Sequence, residues 1–202
     1  MAKNTGDLIL RDRMQFDFSG AGQRTTLYGR MDLSAWIDPI SRQGLAIKEI
    51  LIQPRNSASA AMPLTGAFPL VGQFLANNDT TPVESSLKIY ATTRAYENAS
   101  DVGIASPDVL CVYLRQTLTG PHAVVPATGV TQTYLTRDYW YGPTDLHPEG
   151  YTVVSDLLIG IAADNWVDDG GSTIELDIVI VAEPVKVTEK RMNEILSQAQ
   201  DL

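Results

Sequence analysis

The chain has 202 residues, a net charge of −9 at pH 7 and one cysteine, and its residues are 44% hydrophobic and 19% charged. This is the make-up of a folded domain and not of a disordered acidic tail, and a chain of this size buries enough surface to stand without disulfide or metal support. A lone cysteine excludes an internal disulfide framework and a cysteine-based zinc knuckle, and an acidic surplus without cation clusters argues against nucleic acid or anionic lipid as a partner.

The opening residues Met-Ala-Lys-Asn-Thr-Gly lack the charged start, apolar middle and cleavage site of a signal peptide, so synthesis in the cytoplasm is expected. From there the dominant signal has a period of two. Leu8, Leu10, Met14, Phe16 and Phe18 share one phase, with Arg11, Arg13, Gln15 and Asp17 on the other, which predicts one long strand or two short ones. Over 25–37, Leu27, Met31, Leu33 and Ile37 oppose Tyr28, Arg30, Asp32 and Ser34, a half-buried strand. In 45–53 the phase slips, because Leu45 and Ile47 point one way and Ile50 and Ile52 the other; a bulge at Lys48-Glu49 returns all four to the core.

Further strands are predicted over 67–75, 83–92, 108–118, 130–140, 151–163 and 172–182, bounded by turn formers such as Pro54, Asn77-Asn78-Asp79 and Gly142-Pro143. The last two flank Asp164–Gly171, whose glycines suit a turn, so they are expected to form an antiparallel hairpin. Helical spacing is almost confined to the end: Thr188 caps a helix reaching to about residue 201, with Val187 placed to pack on Met192. Its apolar stripe, Met192, Ile195, Leu196 and Ala199, is too short to stand alone and is the candidate subunit contact, docked on its own sandwich or on a neighbour.

About nine strands without intervening helices mean an antiparallel sandwich, since parallel strands need long crossovers. Strands of this length in two sheets describe a jelly roll. The fold class is therefore all-β: a two-sheet jelly-roll sandwich over residues 1–187, with a short amphipathic helix, 188–202, as an extension of the same domain.

Chemistry is sparse. His122 and His147 both sit in turn-like segments, and although Asp145 could orient His147, a loop histidine near an aspartate is commonplace and no catalysis is expected. Cys111 lies in an apolar run, where a thiol is packed and inert. Asp164, Asp168 and Asp169 resemble an ion site only loosely, because EF-hand spacing would put Val167 and Leu176 at ligand positions. Asp138, Tyr139, Trp140 and Tyr141 combine aromatic faces with a carboxylate, a combination that holds sugar rings, which makes them the candidate glycan contacts. No catalytic, metal or cofactor site is assigned.

Two segments carry a resemblance to a known family: Gly29-Arg30-Met31-Asp32-Leu33-Ser34 running into Asp38-Pro39 and Gly44-Leu45, and His147-Pro148-Glu149-Gly150-Tyr151 leading into the last long strands. With the strand pattern, they make the chain resemble the single jelly-roll major capsid proteins of tailless icosahedral double-stranded DNA viruses with an internal membrane. The resemblance implies a non-enzymatic structural protein of the virion that self-assembles, with copies of itself and other capsid proteins as partners, near an internal membrane. No direct nucleic-acid contact and no small-molecule substrate are expected, since residues 1–30 hold five cations against three acids with no basic run. The alternative is a carbohydrate-binding β-sandwich module, receptor-binding or lectin-like, built on residues 138–141.

Overall fold

The computed structural model describes residues 6–18, 25–56, 83–119, 123–125, 129–131, 134–164 and 172–198. Within them the chain forms β1 (Leu8–Phe18), β2 (Thr25–Met31), β3 (Gln43–Asn56), β4 (Val83–Thr92), β5 (Val109–Thr119), β6 (Ala123–Val125), β7 (Gly129–Thr131), β8 (Tyr134–Tyr141), β9 (Tyr151–Val153), β10 (Leu157–Asp164) and β11 (Ser172–Lys186). Helical structure is limited to a 3-10 turn at Ala99–Asp101, the single turn α1 (Pro143–Leu146) and α2 (Glu189–Gln198). The strand predicted at 67–75 lies outside the described residues.

The strands form two antiparallel sheets, here called sheet I, ordered β1-β11-β3-β9, and sheet II, ordered β2-β10-β4-β5-β8, beside a small β6–β7 ribbon. Pairing is nested: β1 with β11, β2 with β10, β3 with β9, β4 with β5. The two halves of the chain thus run against each other like one long folded ribbon, and successive pairs alternate between the sheets. This winding is a jelly roll, as the patterning predicts. β8 extends sheet II as its outermost strand, paired only to β5 among the described residues.

Period-two alternation sends one set of side chains from each sheet into a shared core. Leu10, Met14 and Phe16 of β1, Leu45, Ile47 and Ile50 of β3, and Ile174 to Ile180 at even positions of β11 meet Leu87, Ile89, Leu157, Ile159 and Ile161 of sheet II. Cys111 is buried in this core, and loss of water pushes its thiol up to about 12, which leaves it unreactive. The bulge is where the phase slip requires it: Val181 pairs with Glu49 and Ala182 with Ile47, so Lys48 is the extra residue.

Three expectations need correcting. The segments 151–163 and 172–182 do not form a hairpin: β10 pairs with β2 and β4 in sheet II, whereas β11 pairs with β1 and β3 in sheet I. The segment 151–163 is itself broken at Val154–Asp156, where the chain leaves sheet I for sheet II. The Asp156 carboxylate holds this crossing, accepting from the Leu33 N–H at 3.1 Å and from the Arg30 guanidinium. The strand expected over 25–37 ends at Met31, because Asp32 accepts from the Ser34 N–H (2.9 Å) and the Trp36 and Ile37 N–H groups turn back onto the Leu33 carbonyl. Leu33 and Ile37 are still buried, on a turn that carries the chain to the other sheet.

Outside the sandwich, residues 93–108 fold back over the outer face of sheet II and form a second, smaller cluster of Tyr90, Val102, Val109 and Val112, with Tyr28 and Tyr96 packed against it. The Tyr28 hydroxyl donates to the Tyr96 carbonyl (2.9 Å), accepts from the Tyr96 N–H (2.8 Å) and lies 2.6 Å from the Tyr90 hydroxyl. Lys88 donates to the Ala99 carbonyl at 2.7 Å and to that of Val102, and burial holds its amine below the ordinary lysine value. Gly160 makes the cover fit: a Cβ there would lie 2.3 Å from Cζ of the fully buried Tyr90 ring.

Candidate functional site

The pleat of β8 separates the four candidate glycan contacts. In its register with β5, Trp140 stands opposite Tyr113 and Asp138 opposite Arg115, while Tyr139 and Tyr141 oppose Leu114 and Val112. Side chains alternate along a strand, so Asp138 and Trp140 share one face and Tyr139 and Tyr141 the other. Asp138 is bound by two Arg115 nitrogens at 2.7 and 2.8 Å, and that guanidinium holds its carboxyl below the ordinary value. That fork takes two of its roughly four acceptor sites.

Trp140 keeps an open side. Its ring centroid lies 5.9 Å from that of Tyr113, an edge-tilted contact, and its side chain remains 42% exposed. The indole overhangs β3 where the short β9 no longer covers it. Together with Leu51, Ile52, Gln53, Asp177 and Val179 it lines a shallow depression of about 380 Å³. The carboxylate in this depression is already engaged, because Asp177 pairs with Arg13 and Arg55, each at 2.7 Å.

The terminal helix begins as its cap predicts, with the Arg191 N–H on the Thr188 hydroxyl (3.3 Å) and the Met192 N–H on the Thr188 carbonyl (2.8 Å). Met192 is 4% exposed and packs with Val154 and Val187 of the same chain, and Ile195 is partly buried beside them. The Val187–Met192 staple is therefore made, and these two stripe residues meet their own sandwich. The Leu196 side chain and Ala199 lie outside the described residues, as do His122, Asp168 and Asp169.

His147 and Asp145 do not form a dyad. Asp145 accepts from the Gly142 N–H at 2.8 Å, closing the first turn of α1, and His147 accepts from the Glu149 N–H at 3.1 Å through Nδ1. Among the described residues no group of three or more His, Cys, Asp or Glu could hold a metal ion.

One cluster went unseen in the sequence because it joins the two ends of an aperiodic loop. Arg94 lies over the Tyr96 ring at 4.9 Å, donates to its hydroxyl at 3.2 Å and reaches Asp108 at 3.7 Å. Asp108 adopts φ +62° and accepts the Thr93 N–H through its carbonyl (3.1 Å). These contacts pin the loop that covers sheet II. They account for the polar lining of the neighbouring depression between Ile104 and Leu146.

No protein-family model matches this chain, and no curated protein matches it.

Proposed function

We propose that the protein is a non-enzymatic structural subunit that assembles with copies of itself into a shell, a viral capsid protein of the virion. The observation that carries this reading is where apolar surface is left over. Of the exposed large apolar residues, Ile9, Leu51, Leu118, Leu135, Tyr139 and Trp140 belong to sheet faces or to the outermost strand β8, while Ile40, Ile104 and Leu146 lie in turns or in α1. Scattered exposed apolar residues are ordinary, but contiguous ones mark contact surfaces. Leu118 and Leu135 stand directly opposite each other on β5 and β8, and Tyr139 follows on the same face two steps along. A jelly roll presents such flanks to its neighbours, and the pleated strands give them rigidity. In this reading other shell proteins complete the set of partners, the packaged nucleic acid is not touched directly, and an internal membrane lies nearby.

The test is sedimentation velocity and negative-stain microscopy of the full chain over a range of concentration and salt. Capsomers or closed particles are expected; a protein that stays monomeric at the highest concentration overturns the reading.

The half-exposed indole of Trp140 above its depression supports a second reading, a carbohydrate-binding module. Its test is a glycan array. A ligand bound by the parent protein and lost in Trp140→Ala supports it, and binding unchanged by that substitution removes it.

A further inference from the structure

The outer face of sheet I carries a belt that the described residues leave exposed, with Trp140 at its edge beside Leu51 and Val179. Alternation breaks at adjoining levels in three neighbouring strands: Leu8-Ile9-Leu10 in β1, Ile50-Leu51-Ile52 in β3 and Ile178-Val179-Ile180-Val181-Ala182 in β11. A strand apolar on both faces is one built to be covered on both. The registers set the outward residues in two rows. Ile9, Val181 and Glu49 stand abreast, and one step along stand Arg11, Val179 and Leu51. Ile9 is 54% and Leu51 48% exposed, with the two valines half-buried between them.

Charge marks the belt as self-complementary. In the row above, Lys48 is paired with Asp7 and Glu183; in the row below, Asp177 is paired with Arg13 and Arg55. Among the described residues Arg11 and Glu49 take part in no ion pair, and they occupy opposite corners of the belt.

We propose that this belt is the docking site of a second copy of the chain, related by a two-fold axis lying in the contact plane along the diagonal from Ile9 to Leu51. That operation sets Ile9 against the second copy's Ile9 and Leu51 against its Leu51. It closes the valines on one another and brings each Arg11 to a Glu49 across the interface, twice. The residual lateral offset is within reach of these long side chains. The two sheets then cross nearly at right angles, one of the two arrangements in which sheets pack face to face. The proposal rests on the self-assembly reading and adds to it the surface, the symmetry and the pairing.

The experiment is charge reversal in the full chain, read by sedimentation equilibrium. Arg11→Glu and Glu49→Arg are each expected to weaken self-association about ten-fold, and the double variant to restore it, because the reversed pair is re-formed across the axis. A second readout is cross-linking with a short bismaleimide, because facing sheets lie about 10 Å apart and a disulfide needs Cα atoms within about 7 Å. Ile9→Cys and Leu51→Cys are each expected to link to themselves, and Arg11→Cys and Glu49→Cys only when mixed, with the buried Cys111 silent. A wild-type protein that is strictly monomeric overturns the proposal and the assembly reading together. Wild-type assembly undiminished by either reversal overturns the proposal alone. Reversals that weaken assembly without rescue in the double variant overturn the two-fold pairing and point to a different occupant of the belt.

Discussion

The two sheets of this sandwich treat their outer faces differently. Sheet II grows its own cover: residues 93–108 lie over Tyr28, Tyr90 and Val112, and three tyrosines are tied together by short hydrogen bonds. Sheet I has no such cover among the described residues, with Trp140 beside Leu51 and Val179 at its edge, and instead neutralises its charges in rows, Lys48 with Asp7 and Glu183, Asp177 with Arg13 and Arg55. Between those rows it leaves Ile9 and Leu51 to solvent. A cover supplied by the chain contributes to the stability of the monomer, whereas a face left open can gain stability only by association.

The buried ring beneath the cover carries the largest expected effect. Tyr90→Ala is expected to destabilise the monomer by about 3–5 kcal/mol, the range for deleting a fully buried aromatic side chain, measured by urea denaturation. A loss below about 1 kcal/mol would mean that the 93–108 loop rests on the sheet without depending on it. Gly160→Ala comes next. Its methyl group would enter the space of the Tyr90 ring, which is buried and held at its hydroxyl, and an overpacking cost of about 1–3 kcal/mol is expected.

One group on each face should also respond at opposite ends of the pH scale. The Asp177 carboxyl is held below its ordinary 3.8 by the Arg13 hydrogen bond first and by Arg55 as well. The folded state releases that proton more readily than the unfolded chain. Its contribution is therefore complete above the unfolded pKa and lost as the pH falls through the lower folded value. Tyr90 is the reverse case: burial first, then the Tyr28 hydroxyl, holds its phenol above the ordinary 10. Its contribution is complete below the unfolded pKa and lost as the pH rises through the folded value. Urea midpoints across pH should show Asp177→Asn flattening the acid limb alone and Tyr90→Phe the alkaline limb alone. If either variant altered both limbs equally, the faces would not be independent.

How far the sequence foretold this difference depends on what a period of two records. It records which face of a strand is buried, so Leu10, Met14 and Phe16, or Ile174, Leu176 and Ile178, could be assigned to the core directly, and the phase slip at Lys48 located the bulge. It does not record which strand lies alongside. β10 and β11 are neighbours in sequence and each sends alternate residues into the core, yet they stand in different sheets, because the ribbon is paired end to end and not hairpin by hairpin. The 138–141 quartet shows the same limit at a smaller scale, since adjacency along a strand places side chains on opposite faces. Residues 93–108 have no period at all, so nothing in their order announced that Tyr96 and Val102 would close over Tyr28 and Tyr90. The belt on sheet I was legible, but only as a departure: Glu175 and Asp177 keep the alternation of β11, and Val179 and Val181 abandon it.

The smallest expected effect probes that departure. Leu51→Ser removes an outward, half-exposed side chain, and exposed substitutions of this kind shift monomer stability by about 0.5 kcal/mol or less. The same substitution in the shared core, at Ile50 beside it, would remove a fully buried side chain and cost several-fold more, although the two residues are adjacent in one strand. Thermal melts of dilute Leu51→Ser should therefore overlay those of the parent protein. At concentrations where the parent associates they should fall below them, because only the associated form covers Leu51 and binding raises apparent stability by mass action. A melt lowered equally at every concentration would place the cover of Leu51 within the monomer, and the contrast between the two faces would disappear.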